Sequence, residues 1–415
     1  MSATSGKAAA FIRRHLGEAD TVVLRRRLEP KPGTSAKKLP GGTAITEERV
    51  QERRAAVGAG AALGAAGAET FARNIENFIG TLTVPVGVAG PLRVNGLFAQ
   101  DDYFVPLATT EAALVASFDR GARVLTEAGG CAAMLVNEGV LRAPGFAFRN
   151  LADAGEFVLW ASARTDEFRA VAESTTRFGR LIEVRFTGEA NHVYLQLEFS
   201  TGAAAGQNMV TIATQAVCDF IAANSPVKPE YHFVEANFSG DKKASALSFS
   251  TVRGRKVCAE AVLDAALVKR RLHTTPARMV DYWRMSALGG VMSGTIGVQG
   301  HYANGLAALY LATGQDVACV AESAVGITRF ELREDGALYA AVTLPNIIVG
   351  TVGGGTGLPA QRACLEMLNL ARTEDANALS EVCAALALAG ELSIIGALSA
   401  QEFSRAHRRL ARGKK

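Results

Sequence analysis

No two of the six cysteines (Cys131, Cys218, Cys258, Cys319, Cys364, Cys383) form a CxxC pair, so the chain shows neither spaced zinc ligands nor a disulfide framework. Reduced thiols in a cytoplasmic protein without a metal fit that scatter. Charge of one sign is scarce as well. The net charge of +4 over 415 residues is too small to argue for a nucleic-acid partner. No run approaches the ~18 apolar residues of a membrane helix, and the longest, Ala384 to Ala400, is interrupted by Glu391. The first 43 residues lack an apolar signal core and mix basic clusters with Glu18, Asp20 and Glu29. They predict an N-terminal arm, not a secretory leader.

What is present is the make-up of a globular enzyme: 49% apolar and 20% charged residues, long enough for two or three domains and a large core. Pro30 to Gly42 reads as a hinge. Thr46 to Phe78 reads as helix, broken at Gly58 to Gly67. That break contains GAGAALG, but it follows a helical stretch rather than a strand, which excludes a dinucleotide fingerprint. Period-two patterns predict antiparallel strands at Arg180 to Thr187 and His192 to Phe199, with helical spacing at Ala161 to Thr175 before them. A further strand, Leu338 to Val349, leads into Gly353-Gly354-Gly355. Small-residue helices at Gln361 to Leu370 and Asn377 to Arg409 imply close helix packing. The fold class is α+β, with a small α+β domain inserted in a larger one. At the C-terminus Arg405, Arg408, Arg409, Arg412, Lys414 and Lys415 crowd together, as a solvated tail or as a clamp for a phosphorylated ligand.

Four segments set ionisable residues in small or apolar surroundings. In Leu107 to Ser117, Thr109 or Thr110 is expected to cap a helix carrying Glu111 in its first turn. In Asn237 to Ser245, Asp241, Lys242 and Lys243 follow Ser-Gly, which suits a loop presenting cations to a carboxylate or an oxyanion. Asp316, in Gly314-Gln315-Asp316, ends an apolar helical run and needs a cation to offset its desolvation. His407 stands near the end of the final helical stretch.

In their order these segments resemble the HMG-CoA (3-hydroxy-3-methylglutaryl-CoA) reductases, of the eukaryote- and archaea-like class I. The shared text runs from Glu76-Asn77-x-Ile79-Gly80 and Pro85-Val-Gly-Val-Ala-Gly-Pro-Leu92 through ATTE at Glu111 and Asp241-Lys242-Lys243. It continues with Gly314-Gln315-Asp316, Gly350-Thr-Val-Gly-Gly-Gly-Thr356, Ala389-Gly-Glu-Leu-Ser393 and His407. The resemblance implies NADPH-dependent, four-electron reduction of the thioester to mevalonate and CoA. It implies Glu111, Lys242 and Asp316 as the charge-relay group and His407 as proton donor to the departing thiolate. Arg142, Asp241, Lys243, Arg284 and Asn304 would hold the acyl group, and Arg120 and Arg123 would face CoA. Thr176, Arg177, Gly202, Gly206, Gln207, Asn208, Met209, Gly353, Gly354 and Arg412 would hold the NADPH cofactor.

The same resemblance divides the chain into an N-terminal arm (1–67) and a large substrate domain (68–143 and 235–400). Between the latter's two parts lies a small ferredoxin-like NADP-binding domain (144–234), and a mobile C-terminal flap (401–415) ends the chain. A homodimer or tetramer with active sites between subunits is implied too, with no membrane or nucleic acid as partner. Four positions depart from the family text: Ala203 where aspartate is usual, Glu235 for serine, Asp119 for asparagine and Arg284 for lysine. They leave two other readings open, a reductase of a different acyl-CoA and a silent CoA-ester-binding paralogue.

Overall fold

The computed structural model describes residues 39–42, 45–57, 64, 68–71 and 74–401. The chain divides into two units, Met1–Leu82 and Thr83–Lys415. In the first, helix α1 (Glu47–Val57) carries Glu47 and Glu48 in its first turn, where carboxylates meet the positive end of the helix dipole. Buried Arg53 donates to the carbonyls of Pro40 (2.7 Å) and Gly42 (2.9 Å). Arg54 donates to Ile79 O at 2.5 Å. These guanidiniums satisfy carbonyls of an irregular segment, so Asn74 to Gly80 is not the helix its composition suggested. The expected glycine break falls almost wholly outside the described residues.

The second unit opens with an antiparallel pair, β1 (Val86–Gly96) and β2 (Gln100–Ala108), followed by α2 (Leu114–Glu127). Strand β3 (Cys131–Arg142) then pairs in parallel with β1. Next come β4 (Gly145–Ala147), α3 (Leu151–Ser162), α4 (Thr165–Ser174), β5 (Arg180–Glu189), β6 (His192–Ser200), α5 (Gln207–Asn224) and β7 (Tyr231–Phe233). The spatial order of these four strands is β7-β4-β6-β5, all antiparallel. A strand, two helices, two strands, a helix and a strand, with the strands in that spatial order, make a split βαβ arrangement. Its own core is aromatic: Phe146, Phe148, Phe157, Phe168 and Phe199 are buried together.

The chain returns through β8 (Gly254–Leu263), α6 (Ala265–Leu272), α7 (Pro276–Ser293), α8 (Tyr302–Thr313), the single turn α9 (Val320–Ser323), β9 (Ile327–Leu332), β10 (Leu338–Ile347), α10 (Pro359–Met367) and α11 (Ala376–Ser399). Strand β3 joins the two halves. Its first part pairs with β8 and its last three residues, ending at Arg142, pair with β6. That register sets Arg142 at the seam.

Helix α11 is the spine of the larger core. The segment Thr373–Ser399 is long and apolar enough to cross a membrane, yet 89% of its apolar window is buried inside the protein. Small residues let it approach its neighbours: a side chain at Gly121 of α2 would strike the Ala389 backbone. Two carboxylates lie on this helix at 0% exposure. Glu381 accepts backbone N–H groups of Leu97 (3.2 Å), Phe98 (2.8 Å), Ala99 (2.8 Å) and Leu135 (3.1 Å). Glu391 accepts from Gly300 N (2.8 Å), His301 N (2.8 Å) and the Thr328 hydroxyl (2.7 Å). No cation is needed where several fixed N–H dipoles converge on one carboxylate. The helix ends at Ser399, and the expected continuation to Arg409 lies outside the described residues apart from Ala400 and Gln401.

Candidate active site

Lys242 sits in the turn after Ser239-Gly240, in the left-handed backbone region (φ 55°) that side-chain-bearing residues seldom occupy. Its ammonium meets Asp316 Oδ2 at 2.9 Å. Asp316 follows the left-handed Gly314 that ends α8, and its other oxygen accepts the Ala318 N–H at 3.0 Å. So the carboxylate that needed a cation has one. The hydrogen bond it donates to Asp316 holds the Lys242 ammonium above its usual pKa, against partial desolvation. Partial burial disfavours the charged carboxylate, but Lys242 and the Ala318 N–H outweigh it and hold Asp316 below the usual range. Both side chains keep about two-fifths of their surface open, 42% and 44%, leaving a charged pair reachable by a ligand.

Glu111 differs from expectation. Helix α2 begins only at Leu114, and Ala113 in the left-handed region separates it from Glu111. Thr109 caps the local turn instead, its Oγ1 accepting the Glu111 N–H at 3.0 Å. Freed from the helix dipole, the Glu111 carboxylate accepts from Asn304 Nδ2 at 2.8 Å. Among the described residues no hydrogen bond or ion pair joins Glu111 to Lys242 or Asp316. The expected relay therefore stands in one chain as two pairs, Lys242–Asp316 and Glu111–Asn304.

Beside Lys242, Asp241 lies between two guanidiniums: Arg142 Nη1 at 3.0 Å and Arg253 Nη2 at 2.5 Å. Arg142 also reaches Glu235 at 3.4 Å and the Gln207 carbonyl at 3.3 Å, while its buried Nε has no partner. Glu235 further accepts the Asn237 N–H at 2.7 Å, so this departure from the family text is neutralised where it stands. Lys243 Nζ turns back to the Asp241 carbonyl at 2.8 Å. Arg284 is not brought to the cluster; it is exposed on α7, 3.6 Å from Asp281.

Of the expected CoA-facing pair, Arg120 is turned onto α11, donating to Ser393 O (2.7 Å) and Oγ (2.8 Å). Arg123 pairs with Asp119 at 2.9 Å, and Asp119 also accepts the Gly90 N–H at 3.1 Å. The carboxylate at position 119 thus ties α2 to the Pro85–Leu92 segment.

Two glycine-bearing loops meet at the start of α5. Ala203 O accepts the Thr351 N–H at 3.2 Å, and Ala204 bridges to Val352. Gly206, at the helix cap with φ 76°, would drive a side chain into Thr201, and no side chain caps α5. Gly202 (φ 62°) and Gly353 (φ 79°) have open space where a Cβ would stand. An uncapped helix N-terminus beside the open backbone of Gly202 and Gly353 fits an anionic diphosphate. Thr176 joins this end, its hydroxyl 3.0 Å from Met209 Sδ, and Arg177 beside it is exposed. Asn208 lies in the first turn, and Gly354 (φ 55°) follows Gly353 in the loop. Gln207 turns the other way, its amide donating to Cys319 Sγ at 3.0 Å.

Sequence reasoning missed Gln315, Arg253 and Glu322. The Gln315 side chain clamps Gly350 from both sides, donating to its carbonyl (3.0 Å) and accepting its N–H (2.8 Å), which fixes the second loop beside Asp316. Its presence within the Gly314-Gln315-Asp316 motif was the available signal. Arg253 and Glu322 are buried in otherwise ordinary text. His407 and Arg412 lie outside the described residues, as does nearly all of the flap.

Residues 45–412 match the family model described as hydroxymethylglutaryl-coenzyme A reductase. The 3-hydroxy-3-methylglutaryl-coenzyme A reductase of Aeropyrum pernix is 43% identical over 352 residues, covering 83% of each chain. That of Pyrococcus horikoshii is 42% identical, covering 83% of this chain and 85% of its own. Reductase 1 of Dictyostelium discoideum is 38% identical and matches over 62% of its length. Among solved structures, the class II enzyme of Streptococcus pneumoniae, bound to NADPH in open conformations, superposes with a TM-score of 0.65 at 19% identity, over 86% of this chain and 97% of its own. The chain belongs to the hydroxymethylglutaryl-coenzyme A reductase family.

Proposed function

We propose that the chain catalyses the NADPH-dependent, four-electron reduction of (S)-3-hydroxy-3-methylglutaryl-CoA to (R)-mevalonate and CoA, through a hemithioacetal and then mevaldehyde. The observation that carries this reading is the half-open Lys242–Asp316 pair. NADPH, when bound at Thr176, Arg177, Gly202, Gly206, the first turn of α5 and Gly353–Gly354, supplies a hydride to each carbonyl stage. Each reduction develops negative charge on the carbonyl oxygen, and the Lys242 ammonium, oriented by Asp316, stabilises it. One such oriented donor lowers a barrier by about 3 kcal/mol. Glu111, steadied by Asn304, delivers a proton to the aldehyde-stage oxygen. His407 protonates the departing thiolate and so blocks its return. Arg142 and Lys243 offer cations to the carboxylate end of the acyl group.

The active unit in this reading is a dimer, or a tetramer built from dimers, in which Glu111–Asn304 of one subunit meets Lys242–Asp316 of another. Two features support it: the pairs are not joined within one chain, and α7 exposes Met285, Leu288, Val291 and Met292 beside Arg284. The split βαβ part with its separate aromatic core would be the cofactor domain, and the free cysteines suit a cytoplasmic enzyme.

The test follows NADPH absorbance with purified protein and HMG-CoA. Two NADPH oxidised per mevalonate formed is the expected result. Oxidation only with another acyl-CoA, or none with any, overturns the reading.

A further inference from the structure

Behind Lys242 lies a charged group that the proposed chemistry does not use. Glu322, on α9, is 0% exposed, and its two oxygens take Arg253 Nη1 at 3.0 and 3.1 Å. Arg253 is 1% exposed and spans from Glu322 to Asp241 Oδ1. Glu322 and Asp316 stand on one short continuous stretch, the 3-10 turn Val317–Cys319 running into α9. Arg253 is anchored independently, its backbone N–H held by Asn346 Oδ1 at 2.9 Å.

Two straps therefore link the Gly240–Lys243 turn to the Asp316–Ser323 stretch. The exposed strap is Lys242–Asp316. The buried one runs from Asp241 through Arg253 to Glu322. A lone exposed ion pair holds two flexible side chains weakly. A left-handed backbone at a lysine is itself unfavourable and persists only where its surroundings over-determine it. The buried strap supplies that constraint, because a desolvated carboxylate without its guanidinium is costly to keep.

We propose that Glu322 and Arg253 are positioning residues for the reduction: the Asp241–Arg253–Glu322 strap fixes the backbone of Lys242 so that its ammonium stays aimed at the reacting oxygen. Neither residue touches substrate or cofactor. This rests on the reading that Lys242 stabilises that oxygen, and a displacement of about 1 Å at such a donor lowers turnover on the order of 10²-fold.

The experiment uses the full chain and compares wild type, Glu322→Gln, Arg253→Lys and Lys242→Ala. Glu322→Gln keeps the shape and removes the charge. The expected result is a kcat lower by ~10²-fold, with KM for HMG-CoA and NADPH affinity unchanged. The alkaline limb of kcat, set by Lys242, moves to lower pH as the ammonium loosens from Asp316. Arg253→Lys gives the same pattern more mildly, and serves alone where Glu322→Gln does not fold. Wild-type kcat with an unmoved alkaline limb in a folded variant overturns the proposal. So does a parallel loss of turnover and NADPH binding, which marks a general structural role. If Lys242→Ala retains turnover, the underlying assignment of Lys242 fails instead, and the two failures are told apart.

Discussion

The larger core and the candidate site hold carboxylates in opposite ways. On α11, Glu381 and Glu391 are wholly buried and satisfied mainly by backbone N–H groups from distant loops. At the site, Asp316 and Glu111 are part-exposed and meet side chains, Lys242 and Asn304. A backbone N–H cannot move without moving its element, so the first arrangement fixes structure. A side-chain partner can be shared with a ligand, so the second keeps charge available to chemistry. Glu322 stands between the two kinds: buried like the first, paired with a side chain, the Arg253 guanidinium, as the second are paired with side chains.

This contrast can be broken in graded steps. Glu381→Leu removes the acceptor of the Phe98, Ala99 and Leu135 N–H groups, and should cost at least ~3 kcal/mol in chemical unfolding. Little lost stability would show that those donors find other partners. Asp316→Asn should leave the melting temperature close to wild type while lowering kcat by about 10²-fold, as loss of an oriented donor does. The opposite pattern would make the site pair structural.

A smaller effect is expected from pH. Burial pushes the Glu322 carboxyl up to about 7 from 4.5, with Asp241 adding to the rise and Arg253, the Lys242 N–H and Cys319 opposing it. A carboxyl raised in the folded state binds a proton there more readily than in the unfolded chain. Its contribution is complete below the unfolded value and is lost as pH rises through the folded one. Acidification from about pH 7 to pH 5 should therefore stabilise wild type relative to Glu322→Gln by on the order of 2 kcal/mol. Parallel stability-versus-pH curves would contradict it. The least effect is expected at Arg123, 59% exposed beside Asp119. Arg123→Ala should shift stability by no more than about 0.5 kcal/mol in thermal melts.

Much of this organisation was legible in the sequence. Period-two runs gave β5 and β6 to within two residues at each end, and the small-residue stretch gave α11, because alternation and close packing leave local traces. Asp316 announced its need for a cation by standing at the end of an apolar helix, and Lys242 supplies it. The start of α2 was misread, since Thr109 and Thr110 resemble a cap and nothing local reports that Ala113 turns left-handed. Arg120 was expected to face CoA, yet it donates to Ser393, 273 positions away. Arg253 and Glu322 escaped notice for the same reason: a buried ion pair made across the fold has no signature in the text around either residue.

The most direct test of the central claim is single-turnover hydride transfer in Lys242→Ala, measured by NADPH absorbance at saturating HMG-CoA, with NADPH binding followed by fluorescence. The predicted result is transfer slowed by ~10²–10³-fold, as for loss of one oxyanion donor, at unchanged NADPH affinity. Transfer at the wild-type rate would contradict the claim, because the ammonium would then have no part in stabilising the oxygen being reduced.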